Sequence, residues 1–309
     1  MSRTSSIPGC TLVLTLALLA AGACTDQPLP TDPTGSPDAA APLPQVFACR
    51  ADVAAGTLSC QRPPEDPAPG LWPSVIVGGQ GIYVQLASDN VSYDGSDVFQ
   101  ADVTVENLIA QPLGTPDGTT VTGIRVFFHS GPVATSGTGT VTVANEDGTG
   151  TFTQSNPQPY FEYDEILQTN EVSAAKTWRW SVPSTVTTFA FSVYLSTDIP
   201  VAPGDWTATP TPVFGTVNFT VNPQSSAITY FRFNFNSYTC GSAVPFSGSV
   251  GMGSTWPITD RQFSFDRDVL SDHIVFEGTF NTIGDQASGT WELTRSGNIC
   301  SGTWQGSPD

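Results

Sequence analysis

Five groups of residues in this chain have types and spacings that could do chemistry. Ser173-Ala174-Ala175-Lys176 has the Ser-x-x-Lys spacing in which a lysine amine takes the serine proton, and Ser88-Asp89-Asn90 matches a companion motif of that acyl-transfer chemistry. The chemistry needs Ser-x-x-Lys first, on a buried helix, and a Lys-Thr-Gly strand later. Here the order is reversed and Lys176 runs into Thr177-Trp178, so the match reads as coincidence. The two histidines, His129 and His273, fall in different expected modules, and no Gly-x-Ser-x-Gly elbow accompanies them. Asp164 and Glu165 follow the aromatic run Tyr160-Phe161-Glu162-Tyr163, a pairing that glycoside hydrolysis could use but that any acidic chain offers. Asp89, Asn90, Asp94 and Asp97 crowd one stretch with oxygen ligands of the kind calcium takes. Their spacing is not that of an EF-hand, and a solvated turn is the expectation. The glycines of Gly78-Gly79-Gln80-Gly81 could cradle a phosphate only ahead of a helix; Tyr83 to Leu86 reads as a strand, so a hairpin turn is expected. No catalytic residue, metal ligand or cofactor is assigned, and the chain is expected not to be an enzyme.

The elements that would hold these residues are strands. Phe99, Ala101, Val103 and Val105 alternate with Gln100, Asp102, Thr104 and Glu106, and Phe189, Phe191, Val193 and Leu195 repeat the spacing of two. Only a strand places every second side chain on one face. Shorter alternating runs cut by Gly, Pro, Asn and Asp lie between, which predicts an antiparallel sandwich. The 309 residues leave room for roughly two domains. The formal charge of −18, with Lys176 the one lysine and nine scattered arginines, argues against nucleic acid as a partner, because a phosphate backbone needs clustered cations.

At the N-terminus Arg3 precedes the apolar run Leu12 to Ala23. That run is shorter than a bilayer span and ends in small residues, so 1–23 reads as a signal peptide. Leu18-Leu19-Ala20-Ala21-Gly22-Ala23-Cys24 resembles the lipobox of bacterial lipoproteins, with Ala21 where that family favours Leu. The resemblance implies a lipidated Cys24 as the mature N-terminus and a membrane partner through that lipid. Cleavage of the same bond without lipidation is the rival. Residues 24–44 carry the anchor and a Pro-rich linker, whose extended geometry could reach roughly 60 Å at about 3.1 Å per residue.

Of six cysteines, Cys10 leaves with the signal and Cys24 becomes the anchor; Cys49, Cys60, Cys240 and Cys300 remain. An even remainder in an exported chain reads as disulfides, with three pairings open. Cys49–Cys60 and Cys240–Cys300 are preferred. A turn at Ala54-Ala55-Gly56-Thr57 would set the first two opposite each other, and the last two share the C-terminal segment. Zinc is disfavoured because no cysteine pair sits two to four residues apart.

The expected order is a Cys49–Cys60 hairpin and loop (45–70), a β-sandwich (71–197), a linker with a possible strand at Val217, Phe219 and Val221 (198–225), and a C-terminal β domain (226–309). Residues 71–197, with Trp178 and Trp180 on one face of a strand, resemble bacterial immunoglobulin-like modules of exported proteins. The ending Cys300-Ser301-Gly302-Thr303-Trp304 resembles the closing strand of small C-terminal β modules of exported bacterial proteins. The fold class is therefore all-β: an immunoglobulin-like sandwich followed by a second small antiparallel sandwich or barrel. These resemblances imply an extracytoplasmic lipoprotein, anchored to the bacterial cell envelope at the surface or outer membrane, that binds an unknown protein or glycan without catalysis. Carbohydrate binding through exposed Trp178, Trp180, Tyr160 and Tyr163 is the alternative, and requires at least two coplanar solvent-facing rings. An extracytoplasmic hydrolase ranks last.

Overall fold

Alternation becomes strand pairing throughout the computed structural model, which describes residues 46–62, 76–239, 241 and 245–309. The expected signal segment and linker, with Cys24, lie outside the described residues, as do Cys240 and residues 63–75. The described residues form nineteen strands and no helix.

Eleven strands build two facing sheets: β1 (Phe47–Asp52), β2 (Thr57–Gln61), β3 (Ile76–Val77), β4 (Val84–Tyr93), β5 (Val98–Asn107), β6 (Ile124–Gly137), β7 (Thr142–Val143), β8 (Gly148–Gly150), β9 (Gln158–Tyr163), β10 (Lys176–Ser181) and β11 (Val186–Thr197). One sheet runs β2-β1-β11-β6-β9-β8, with β3 also on β11; the other runs β4-β5-β10-β7. On β5 the side chains of Phe99, Ala101, Val103 and Val105 are buried between the sheets, and their polar neighbours face out. The Cys49–Cys60 hairpin is part of this body, because β1 pairs with β11 over Phe47↔Val193 to Asp52↔Thr188. The glycine-rich connection after Val77 is a crossover and not the expected hairpin. It carries the chain from β3 in one sheet to β4 in the other, with Gly79 and Gly81 at positive φ. Residues 138–153 contribute only the short β7 and β8, since their Thr and Gly bury little.

The remaining strands are β12 (Gly204–Thr211), β13 (Gly215–Val221), β14 (Ala227–Tyr238), β15 (Phe246–Pro257), β16 (Gln262–Val269), β17 (Asp272–Phe280), β18 (Ala287–Arg295) and β19 (Asn298–Pro308). They form an antiparallel meander in which the first strand also pairs with the last. The sheet is a barrel open only between β15 and β16, where one bridge, Thr259–Gln262, joins the strand ends. Its inside is filled with rings. Phe219, Phe231, Phe263, Phe276 and Trp304 are all buried, and Phe276 stacks on Trp304 at 4.6 Å. Gly278 leaves room for this packing, since a Cβ there would stand 2.6 Å from the Phe263 ring.

The 198–225 segment carries two full strands, not one. Pro210 and Pro212 disguise the first, but β12 pairs with β13 only as far as Ala208↔Val217, so Pro210 removes no ladder bond on that side. Residues Ile199 to Ala202 join the two bodies. Arg261 donates to the Ile199 carbonyl at 2.6 Å and the Asn281 carbonyl at 2.8 Å, Ala202 N–H donates to Gly284 O at 2.8 Å, and the Ser225 hydroxyl donates to Val201 O at 2.7 Å. Arg261 and Asp260 occupy a two-residue turn at φ 63° and 50°. Asn and Gly usually take such positions, and here the conformation aims the guanidinium at two carbonyls.

Candidate functional site

The four aromatics expected as a sugar platform do not form one. Lys176 to Ser181 faces the inside of the sandwich with Trp178 and Trp180, each 0% exposed. Trp178 stacks on Phe161 at 4.6 Å, and Trp180 packs among Phe99, Phe189 and Phe191 at 5.4–5.9 Å. The spacing of two that placed both indoles on one face was right about the face, but β10 is covered by the opposite sheet. Tyr163 is also in the core; its hydroxyl donates to Val103 O at 3.0 Å, and burial pushes its phenol far above the usual range. Only Tyr160 reaches the outer face. The Arg125 guanidinium lies 5.5 Å over its ring and Phe152 meets it edge-on.

The other candidate residues are spent on structure. The Ser173 hydroxyl accepts from Val105 N–H at 2.9 Å, and Lys176 Nζ donates to Glu162 O at 2.7 Å and pairs with Asp147 at 2.7 Å. The Ser88 hydroxyl donates to Leu58 O across the two sheet edges. Ser88, Ser173 and Lys176 therefore make separate contacts. His129 Nδ1 meets Thr153 Oγ1 at 2.8 Å in the sandwich, whereas His273 lies on the barrel wall between Asp268 (2.9 Å) and Asp266 (3.5 Å). Glu165 accepts from Ala174 N–H at 3.0 Å, and Asp164 is exposed. In the suspected calcium stretch, Asp94 accepts from Ser96 and Val98 N–H, Asp97 accepts from the Tyr93 hydroxyl, and Asp89 accepts from Asn90 N–H. Asn90 itself turns to Asp102, whose carboxyl is held low by the Thr177 hydroxyl and then by Asn90. Such carboxylates cap their own turns, and no cluster of metal-ligating residues forms among the described residues.

Cys49 and Cys60 are bonded across directly paired positions of β1 and β2 (Cα–Cα 4.0 Å). The turn between them has Gly56 at φ +61°, and Ala55 N–H donates to Asp52. Beside this bridge, a cleft of about 230 Å³ opens between the edges of β2 and β4, lined by Leu58, Cys60, Leu86, Ser88, Val103 and Trp178.

The feature that sequence reasoning missed lies at the far end of the barrel. The meander puts the β13–β14, β15–β16 and β17–β18 connections at the end that meets the sandwich, and β12–β13, β14–β15, β16–β17 and β18–β19 at the other. On that second rim Val213 is 69% exposed, Leu270 95% and Ile299 66%. Leu270 and Ser271 make the two-residue turn between the paired Val269 and Asp272, with Leu270 at φ 59°. Near the rim Arg295 binds Asp272 at 2.6 Å, Asp266 and Asp268 flank the His273 ring, and Arg267 between them is exposed. The available signal was an aliphatic residue inside a turn, in Thr211-Pro212-Val213-Phe214-Gly215 and Val269-Leu270-Ser271-Asp272.

The fold and these features define an all-β chain with one cross-strand disulfide among the described residues and two aromatic-filled bodies. Comparison with protein-family models, with curated proteins and with solved structures finds no match for this chain.

Proposed function

We propose that this chain is an exported bacterial lipoprotein, held to the cell envelope through Cys24, whose two β bodies present surface to an envelope or extracellular partner without catalysing a reaction. The observation that carries the reading is the Cys49–Cys60 bridge, which belongs to oxidising compartments and agrees with the leader-like start and the Cys24 that follows it. The use of Ser173, Lys176 and the acidic side chains in turns and pairs supports a binding role over a catalytic one. Burial of Trp178, Trp180 and Tyr163 removes the rings on which a glycan reading relied. The experiment is intact-mass measurement of the chain recovered from the envelope fraction. An acylated N-terminal Cys24 is the expected result, and a mature chain with unmodified Cys24 ends the anchor reading.

A further inference from the structure

From the sandwich-remote rim of the barrel we infer a second membrane contact: Val213, Leu270 and Ile299 insert among the headgroups of an uncharged, zwitterionic lipid surface. This deepens the proposed function and rests on it only in supposing that a bilayer is near.

Three observations point the same way. The first is placement: two of the residues stand in separate hairpin turns and the third on the outer lip of a neighbouring strand, all on one rim, with exposures of 69%, 95% and 66% for Val213, Leu270 and Ile299. Separate aliphatic projections suit a fluid layer that closes around each one, whereas a folded partner calls for a continuous patch. The second is conformational. Leu270 holds a positive φ that glycine or asparagine would adopt without steric cost, and it buries almost nothing in return. Folding alone gives no reason for leucine there. The third is charge. Arg295 near the rim is neutralised by Asp272, Arg267 stands between the Asp266 and Asp268 carboxylates on the adjoining wall so that acids outnumber bases there by one, and the chain as a whole carries −18. That field repels an anionic surface and leaves a zwitterionic one as the match.

The test is co-sedimentation of the chain from residue 24 onward, carrying Cys24→Ser so that no acyl chain contributes, with phosphatidylcholine vesicles and with vesicles containing half phosphatidylglycerol. The expected result is partition to phosphatidylcholine, weaker binding to the anionic vesicles, and about tenfold weaker partition for each of Val213→Ser, Leu270→Asn and Ile299→Thr. Leu270→Asn suits the turn, so its melting temperature should hold or rise while binding falls. A misfolded variant cannot imitate that pair of readings. A wild-type chain that stays in the supernatant, or a triple variant that sediments as well as wild type, overturns the inference. So does a dimer that the triple variant abolishes, which would assign the rim to contact between copies. None of these results depends on acylation of Cys24, so the anchor reading stands or falls separately.

Discussion

Replacing Trp180 separates a core residue from a binding platform. Its indole is fully buried, with the rings of Phe99, Phe189, Phe191 and Trp178 within 6.0 Å, and its Nε1 has no hydrogen-bond partner among the described residues. Trp180→Ala should cost about 3–5 kcal/mol, the usual loss of transfer energy plus the cavity left between the sheets. Trp180→Phe keeps a ring in place and also removes a buried, unpaired N–H, which is worth about 1–3 kcal/mol in the opposite direction. Its net effect should therefore be small, about 0–2 kcal/mol. Urea unfolding followed by circular dichroism gives both numbers from the midpoint and slope. A loss below about 1 kcal/mol for the alanine variant would refute the reasoning, because no fully buried tryptophan is removed so cheaply. The same numbers bear on glycan pull-downs with alanine variants at 178 and 180: lost retention there would report a damaged sandwich.

Opening the Cys49–Cys60 loop, which spans 11 residues, should cost about 3 kcal/mol on the chain-entropy account, measured as a shift in urea midpoint between the wild type and a double Cys→Ala variant. The buried Tyr163 phenol has a folded pKa raised above its ordinary 10.0, mainly by desolvation. The unfolded chain therefore loses this proton first, and stability should fall above pH 10 by up to about 1.4 kcal/mol per pH unit. Tyr163→Phe should flatten that slope in unfolding curves taken between pH 9 and 11; an unchanged slope places its cause elsewhere. Arg261→Met removes the charged hydrogen bond to Ile199 O in the junction and the one to Asn281 O in the adjoining barrel turn, so it should split one unfolding transition into two and expose residues 199–202 to protease, whereas a single unshifted transition would count against the clasp. Gly278→Val should destabilise the barrel by at least about 1–3 kcal/mol, read by calorimetry, because the Phe263 and Trp304 rings occupy the place of its side chain.

The all-β architecture was legible because period-two alternation is a local property: Phe99 to Val105 and Phe189 to Leu195 both became strands with one face turned inward. The Cys49–Cys60 pairing was legible for the same reason, since a short turn sets its register. Pairing at a distance was not. Nothing near Pro210 tells that β19, almost a hundred residues later, will lie beside β12 and make a strand of a segment that reads as linker. Whether Trp178 and Trp180 face water or a second sheet depends on the strands opposite, which alternation alone cannot place. The exposed rim was hidden because an aliphatic residue in a turn has no period to betray it.

Closure of the barrel by its first and last strands has a consequence for biogenesis. During synthesis β12 emerges with only β13 to pair, and its other ladder stays open until β19 follows. Throughout that interval a half-built wall of phenylalanines is uncovered, so the emerging barrel is most prone to aggregation before its last strand arrives. The sandwich, whose eleven strands all precede β12, can by then have set.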